Sequence, residues 1–109
     1  MVKRKSIGIG KFGLTSEALK LINEVFRQHP EVRMVKIFGS RAIGNFEDYS
    51  DVDLALWGDL DINLIGQISR ELDELPLPFT FDVKDYETIK HAPLKQHIDE
   101  FGKILYSKN

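Results

Sequence analysis

Apolar side chains recur with two different periods along this chain, and each change of period marks an element. Ala18, Leu19, Ile22, Val25 and Phe26 fall on one stripe at helical spacing. Thr15 stands where an N-cap hydroxyl belongs, Leu14 and Leu19 fit a hydrophobic staple, and Pro30 predicts that the helix stops near His29. At that carboxyl end His29 is expected to interact with the helix dipole. The pattern then becomes extended: Val32 to Phe38 reads as a strand leading into Gly39. Ser40 to Ile43 predicts one helical turn ended by Gly44, and Asn45 to Ser50 a polar loop. The second strand, Asp51 to Trp57, points Val52, Leu54 and Leu56 to one face and Asp51, Asp53 and Ala55 to the other.

Helical spacing returns with Leu64, Ile65, Ile68, Leu72 and Leu75, in a helix starting near Asp59 or Asp61 with Arg70, Glu71, Asp73 and Glu74 outside. Gly66 inside it costs about 1 kcal/mol of helix propensity against alanine, which predicts close helix packing there. Pro76 and Pro78 break the chain before a third strand, Phe79 to Val83, where Phe79, Phe81 and Val83 alternate with Thr80 and Asp82. A loop and helical turn run from Asp85 through Glu87 to His91. A last helix carries Leu94, Ile98 and Phe101, ends at Gly102, and gives way to a short strand from Lys103 to Tyr106. His91 and His97 belong to no metal or triad spacing and read as surface or packing residues. Strands and helices in this order predict a small mixed sheet flanked by helices, an α/β (α+β) domain.

At 109 residues the chain has room for one hydrophobic core. Apolar residues at 42% and charged residues at 29% are ordinary for a folded domain. A net charge of −2 predicts no extensive nucleic-acid footprint. With no cysteine, disulfides, thiolate ligands and a cysteine nucleophile are all excluded. The apolar runs are too short for a membrane span, and the first residues lack the apolar centre of a signal peptide, so a cytoplasmic location is expected. Residues 1–13 are expected to be a flexible entry segment and 14–109 the domain. Gly8, Gly10 and Gly13 spell a dinucleotide fingerprint, but too little chain precedes Gly8 to build the strand that fingerprint needs.

Candidate chemistry is concentrated between Gly39 and Asp53. A glycine-serine turn after a strand can offer backbone N–H groups to a phosphate. Asp51 and Asp53, two apart on an extended segment, share a face, and their repulsion calls for a cation between them. Asp82 has the same relation to its own strand, so pairing of the second and third strands would bring three carboxylates together. Mg²⁺ takes carboxylate oxygens and keeps places for water and phosphate, which suits such a cluster.

Gly39-Ser40, ten residues, then Asp51-x-Asp53, with Asp82 on a later strand, resembles the minimal nucleotidyltransferases of the DNA polymerase β superfamily. The likeness spans Leu14 to Tyr106 and is greatest to the MNT half of paired MNT and HEPN toxin–antitoxin proteins. It implies a polymerase β-like fold in which Gly39 and Ser40 contact the β and γ phosphates of ATP or another NTP, with Arg41 as a further phosphate contact. Asp51 and Asp53 would ligate two Mg²⁺ ions, and Asp82 would complete the shell of the catalytic one. Ile43 departs from the pattern, since many relatives carry a basic residue there. The resemblance further implies transfer of AMP from ATP to a hydroxyl of a HEPN-type helical partner, an antitoxin activity. Two alternatives are a non-catalytic module that blocks its partner by contact, and a small-molecule nucleotidyltransferase whose acceptor site is completed by an oligomer.

Overall fold

In the computed structural model, residues 11–47 and 50–108 are described. The cluster of Lys3, Arg4 and Lys5 and the glycines Gly8 and Gly10 lie outside them. Lys11–Gly13 form a 3-10 turn, with Phe12 packed against the main core. Four helices follow, α1 (Ser16–Arg27), α2 (Ser40–Ile43), α3 (Ile62–Asp73) and α4 (Ala92–Phe101), together with strands β1 (Val32–Phe38), β2 (Val52–Gly58), β3 (Phe81–Asp85) and β4 (Lys103–Ser107). The strands form one sheet in the order β3-β2-β1-β4, antiparallel except for the parallel pair β2–β3. The crossover through α3 makes that parallel pairing possible, since two parallel strands cannot be joined by a tight turn.

The two faces of the sheet have different tasks. Val35 and Ile37 of β1, with Val52, Leu54 and Leu56 of β2, are fully buried with Ile22 and Phe26 of α1 and Ile68 and Leu72 of α3. That layer is the core, and the alternation in β2 aims the odd-numbered positions away from it. On the opposite face α4 covers only part of the sheet: Ile98 is buried against Phe38 and Ala55, with Trp57, Tyr86 and Leu94 around them. Trp57 stacks on Tyr86 with ring centroids 4.4 Å apart. The uncovered part of this face holds Asp53 and Asp82.

Caps fall where the pattern placed them. Thr15 Oγ1 accepts from the Ala18 amide at 3.0 Å, and Asp61 Oδ1 accepts from Leu64 at 2.8 Å, so Asp61 rather than Asp59 opens α3. Gly44 ends α2 in the left-handed conformation. Three expectations need correction. The third strand runs Phe81–Asp85 instead of Phe79–Val83, because its ladder with β2 begins at Val52↔Phe81 and a strand needs a partner as well as alternation. Gly66 is not a site of close packing: a Cβ there would meet only Arg70 Nη1, at 3.8 Å. Phe101, placed on the buried stripe of α4, is 42% exposed.

His29 likewise does more than sit at a helix end. Its Nε2 lies 2.7 Å from Glu71 Oε1 and ties the segment after α1 to the neighbouring helix α3. Hydrogen bonds from His29 and then Gln67 hold the Glu71 carboxyl below its ordinary value. A carboxyl lowered on folding adds stability above its unfolded value and loses it as pH falls through the folded one. Glu71→Gln is therefore expected to be less stable than the wild type in urea at neutral pH. The gap should begin to narrow as pH falls through the ordinary Glu range near about 4 and close only below the lowered folded value.

Candidate functional site

Strand β1 ends at Phe38, and the chain must reverse at once to start α2. Gly39 makes that reversal with φ 76 and ψ −154, a left-handed region that side chains rarely enter. A Cβ on Gly39 would collide with Asp53 Oδ2, so the glycine also makes room for the carboxylate. The Gly39–Ser40 turn and Asp53 are thus in direct juxtaposition, fixed by the antiparallel pair Phe38↔Asp53.

Asp53 in turn faces Asp82 across the parallel ladder in matched register. Neighbouring strands are about 4.8 Å apart, so the two carboxylates leave the same face of the sheet side by side. Asp51 is exposed, just ahead of β2. Burial, then the charges of Asp82 and Asp51, push the Asp53 carboxyl above its ordinary value, against the opposing pull of Lys84 and His97. The three aspartates proposed from the sequence are therefore gathered at one end of the sheet and repel one another. Among the described residues no three ligand groups are already closed into a metal-binding cage. A pair of facing carboxylates whose ionisation is opposed by like charge, beside a third that is exposed and able to turn, is nonetheless a donor set that a hard divalent cation fits.

Arg41 has a different place from the one expected. It is 1% exposed, and its guanidinium donates to the Ser50 carbonyl from Nε at 3.1 Å and Nη2 at 3.0 Å, and to the Phe12 carbonyl from Nη1 at 2.9 Å. The rings of Phe79 and Phe46 lie 4.7 and 5.1 Å from it. These bonds turn the guanidinium inward, onto backbone carbonyls. Because Ser50 immediately precedes Asp51, Arg41 fixes the point at which the loop delivers that carboxylate to the site. Ile43, where a basic residue was expected, is half exposed on α2.

Two residues of the site escaped sequence reasoning. Lys84 Nζ sits 3.4 Å from Asp82 Oδ2 as the resident counter-ion of that carboxylate. Its position two beyond Asp82 on the same strand face was a legible signal. His97, from α4, accepts the Gly39 amide hydrogen on Nε2 at 3.1 Å. It stands three residues after Leu94 and four before Phe101, a polar side chain on the inner stripe of its helix, and that placement was the available clue.

The mixed sheet thus carries a glycine-serine turn beside facing aspartates at one end. The chain belongs to the polymerase beta nucleotidyltransferase family, whose model matches residues 20–109. It is 31% identical over 77 residues to the "Probable protein adenylyltransferase MntA" of Haemophilus influenzae, covering 69% of this chain and 68% of that protein. Its fold is similar to that of a toxin–antitoxin crystal structure with AMP-PNP, at TM-score 0.69 and 23% identity, over 84% of this chain and 74% of that one. A structure of the tri-AMPylated Shewanella oneidensis HEPN toxin with MNT antitoxin matches at TM-score 0.64 and 21% identity, over 84% and 71% of the two chains.

Proposed function

We propose that this protein is a Mg²⁺-dependent protein adenylyltransferase that moves AMP from ATP to a hydroxyl of a HEPN-type helical toxin and so acts as its antitoxin. The observation that carries the reading is the matched register of Asp53 and Asp82 beside the Gly39–Ser40 turn, in a chain similar to a protein adenylyltransferase. The reaction forms a bond between the acceptor oxygen and the α-phosphorus of ATP and breaks the bond to pyrophosphate, with the hydroxyl proton lost to base or solvent.

Each group has a task in that reaction. Ser40 binds the β and γ phosphates through its amide and hydroxyl while Gly39, its own N–H given to His97, shapes the turn, so the leaving pyrophosphate is held there. Asp51, Asp53 and Asp82 would hold the divalent ions. When bound, Mg²⁺ supplies charge neutralisation on the phosphates and lowers the pKa of the acceptor hydroxyl. Asp82 lies on β3, an edge strand, and is exposed, so an acceptor reaches this side of the site without crossing the sheet. Lys84 balances Asp82 before the ions arrive. Among the described residues no helix is long and apolar enough to cross a membrane, and we place the reaction in the cytoplasm, where ATP and Mg²⁺ are supplied.

The position of the label tests the reaction type. With Mg²⁺ and a HEPN-type helical protein as acceptor, this protein should transfer label from ATP carrying it on the α-phosphorus and none from ATP carrying it on the γ-phosphorus. Transfer of the γ label would make it a kinase, and no transfer of either would leave inhibition by contact or a small-molecule acceptor as the surviving readings.

A further inference from the structure

Gly39 is confined from two directions. On one side Asp53 Oδ2 occupies the space a side chain would need. On the other, its N–H is given to His97 Nε2 at 3.1 Å, across 58 residues of sequence. A ring nitrogen that accepts a hydrogen carries none of its own, so His97 holds its proton, when neutral, on Nδ1. The ring is itself fixed: it meets Phe38 edge to face with centroids 6.1 Å apart, and lies 5.4 Å from the ring of Phe101. The next residue, Ile98, is fully buried and anchors α4 to the sheet.

We propose that His97 is a positioning residue for nucleotide binding: by accepting from Gly39 it locks the Phe38–Gly39 peptide against α4, at the place where the turn meets Asp53. The turn needs such a lock because glycine is free to leave the left-handed region, and the α2 hydrogen bonds to the Gly39 carbonyl, from Ala42 and Ile43, fix only its other side. Ser40 follows Gly39 directly, so holding Gly39 on both sides sets the orientation of Ser40, whose hydroxyl has no hydrogen-bond partner among the described residues. Held by His97, Ser40 meets a phosphate already oriented; without it, the ordering of the turn is charged to binding. This rests on the nucleotide-binding reading of the turn given above.

Two substitutions separate the hydrogen bond from the packing. His97→Phe keeps a ring between Phe38 and Phe101 and removes the acceptor, whereas His97→Gln keeps an acceptor near the place of Nε2. His97→Phe is expected to speed hydrogen exchange of the Gly39 amide and raise KM for ATP, each by about tenfold, the factor set by one ordinary hydrogen bond. Its kcat should change much less and its melting temperature should fall by only a few degrees, about what the loss of one part-buried hydrogen bond costs. His97→Gln should restore both readouts toward wild type. Equal KM values for the Phe and Gln variants, or an unchanged Gly39 exchange rate in His97→Phe, would overturn the proposal. A wild-type protein that neither binds nor transfers nucleotide would instead sink the reading it rests on, and the exchange rate would then still decide whether His97 holds the turn.

Discussion

Asp53→Asn is expected to abolish nucleotidyl transfer and, in the same protein, to raise the melting temperature when no divalent ion is present. The two effects have one cause. Asp53 is the most crowded of the three carboxylates, half-buried and facing Asp82, with Asp51 close by, and its carboxyl is held above its ordinary value. A carboxyl raised on folding supports the folded state while it is protonated, and that support is lost as pH rises through the folded value. At neutral pH the ionised group is therefore a cost to the metal-free fold. Asparagine keeps the shape and removes the charge. Activity should fall by more than about 100-fold, the upper end of what losing an outer-shell partner of a metal ligand costs. Adding Mg²⁺ should stabilise the wild type more than the variant, because only the wild type has three charges for the ion to neutralise. A scan of melting temperature with and without Mg²⁺ checks this. An Asp53→Asn protein less stable than the wild type in the absence of metal would contradict the electrostatic account of the site.

Arg41→Ala should be the most destabilising single change at the site, by about 3 to 5 kcal/mol. It strips partners from the carbonyls of Ser50 and Phe12, and each buried acceptor left unmade costs about 1 to 3 kcal/mol. The space between the Phe46 and Phe79 rings is emptied as well. In a domain of this size such a loss lowers the melting temperature on the order of 15 °C. Arg41→Lys should recover little of it, because an ammonium cannot hold the Ser50 carbonyl from two nitrogens as the guanidinium does. Were Arg41 a phosphate contact, Arg41→Ala would weaken nucleotide binding and leave the melting temperature nearly unchanged. Thermal denaturation of the two variants beside Ile43→Ala, an exposed neighbour on α2, separates these outcomes.

Local chemistry explains why most of the fold could be read from residue order. Thr15 and Asp61 cap helices whose own sequence creates the need for a cap, and Gly39 and Gly44 stand where only glycine is comfortable. The alternation in β2 aimed Asp53 away from the core before any partner strand was known. What sequence order left open was decided by contacts between distant segments. The bounds of β3 shifted because β2 supplies the ladder at Phe81. His29 found Glu71, and Gly39 found His97, through the packing of helices that no local pattern specifies. Arg41 belongs to the same class. Its neighbours Gly39 and Ser40 suggested a phosphate, whereas the carbonyls that hold it come from Phe12 and Ser50, which reach it only once the loop and the first turn have folded around α2.

The central claim is that the carboxylates of Asp51, Asp53 and Asp82 and the Gly39–Ser40 turn together catalyse transfer of a nucleotide to a partner protein. The most direct measurement is the intact mass of a HEPN-type helical partner protein after incubation with ATP and Mg²⁺. Wild-type protein should add whole AMP units to it, and Asp82→Asn, folded and bound to the same partner, should add none. Equal modification by the wild type and Asp82→Asn, or no modification by either, would contradict the claim.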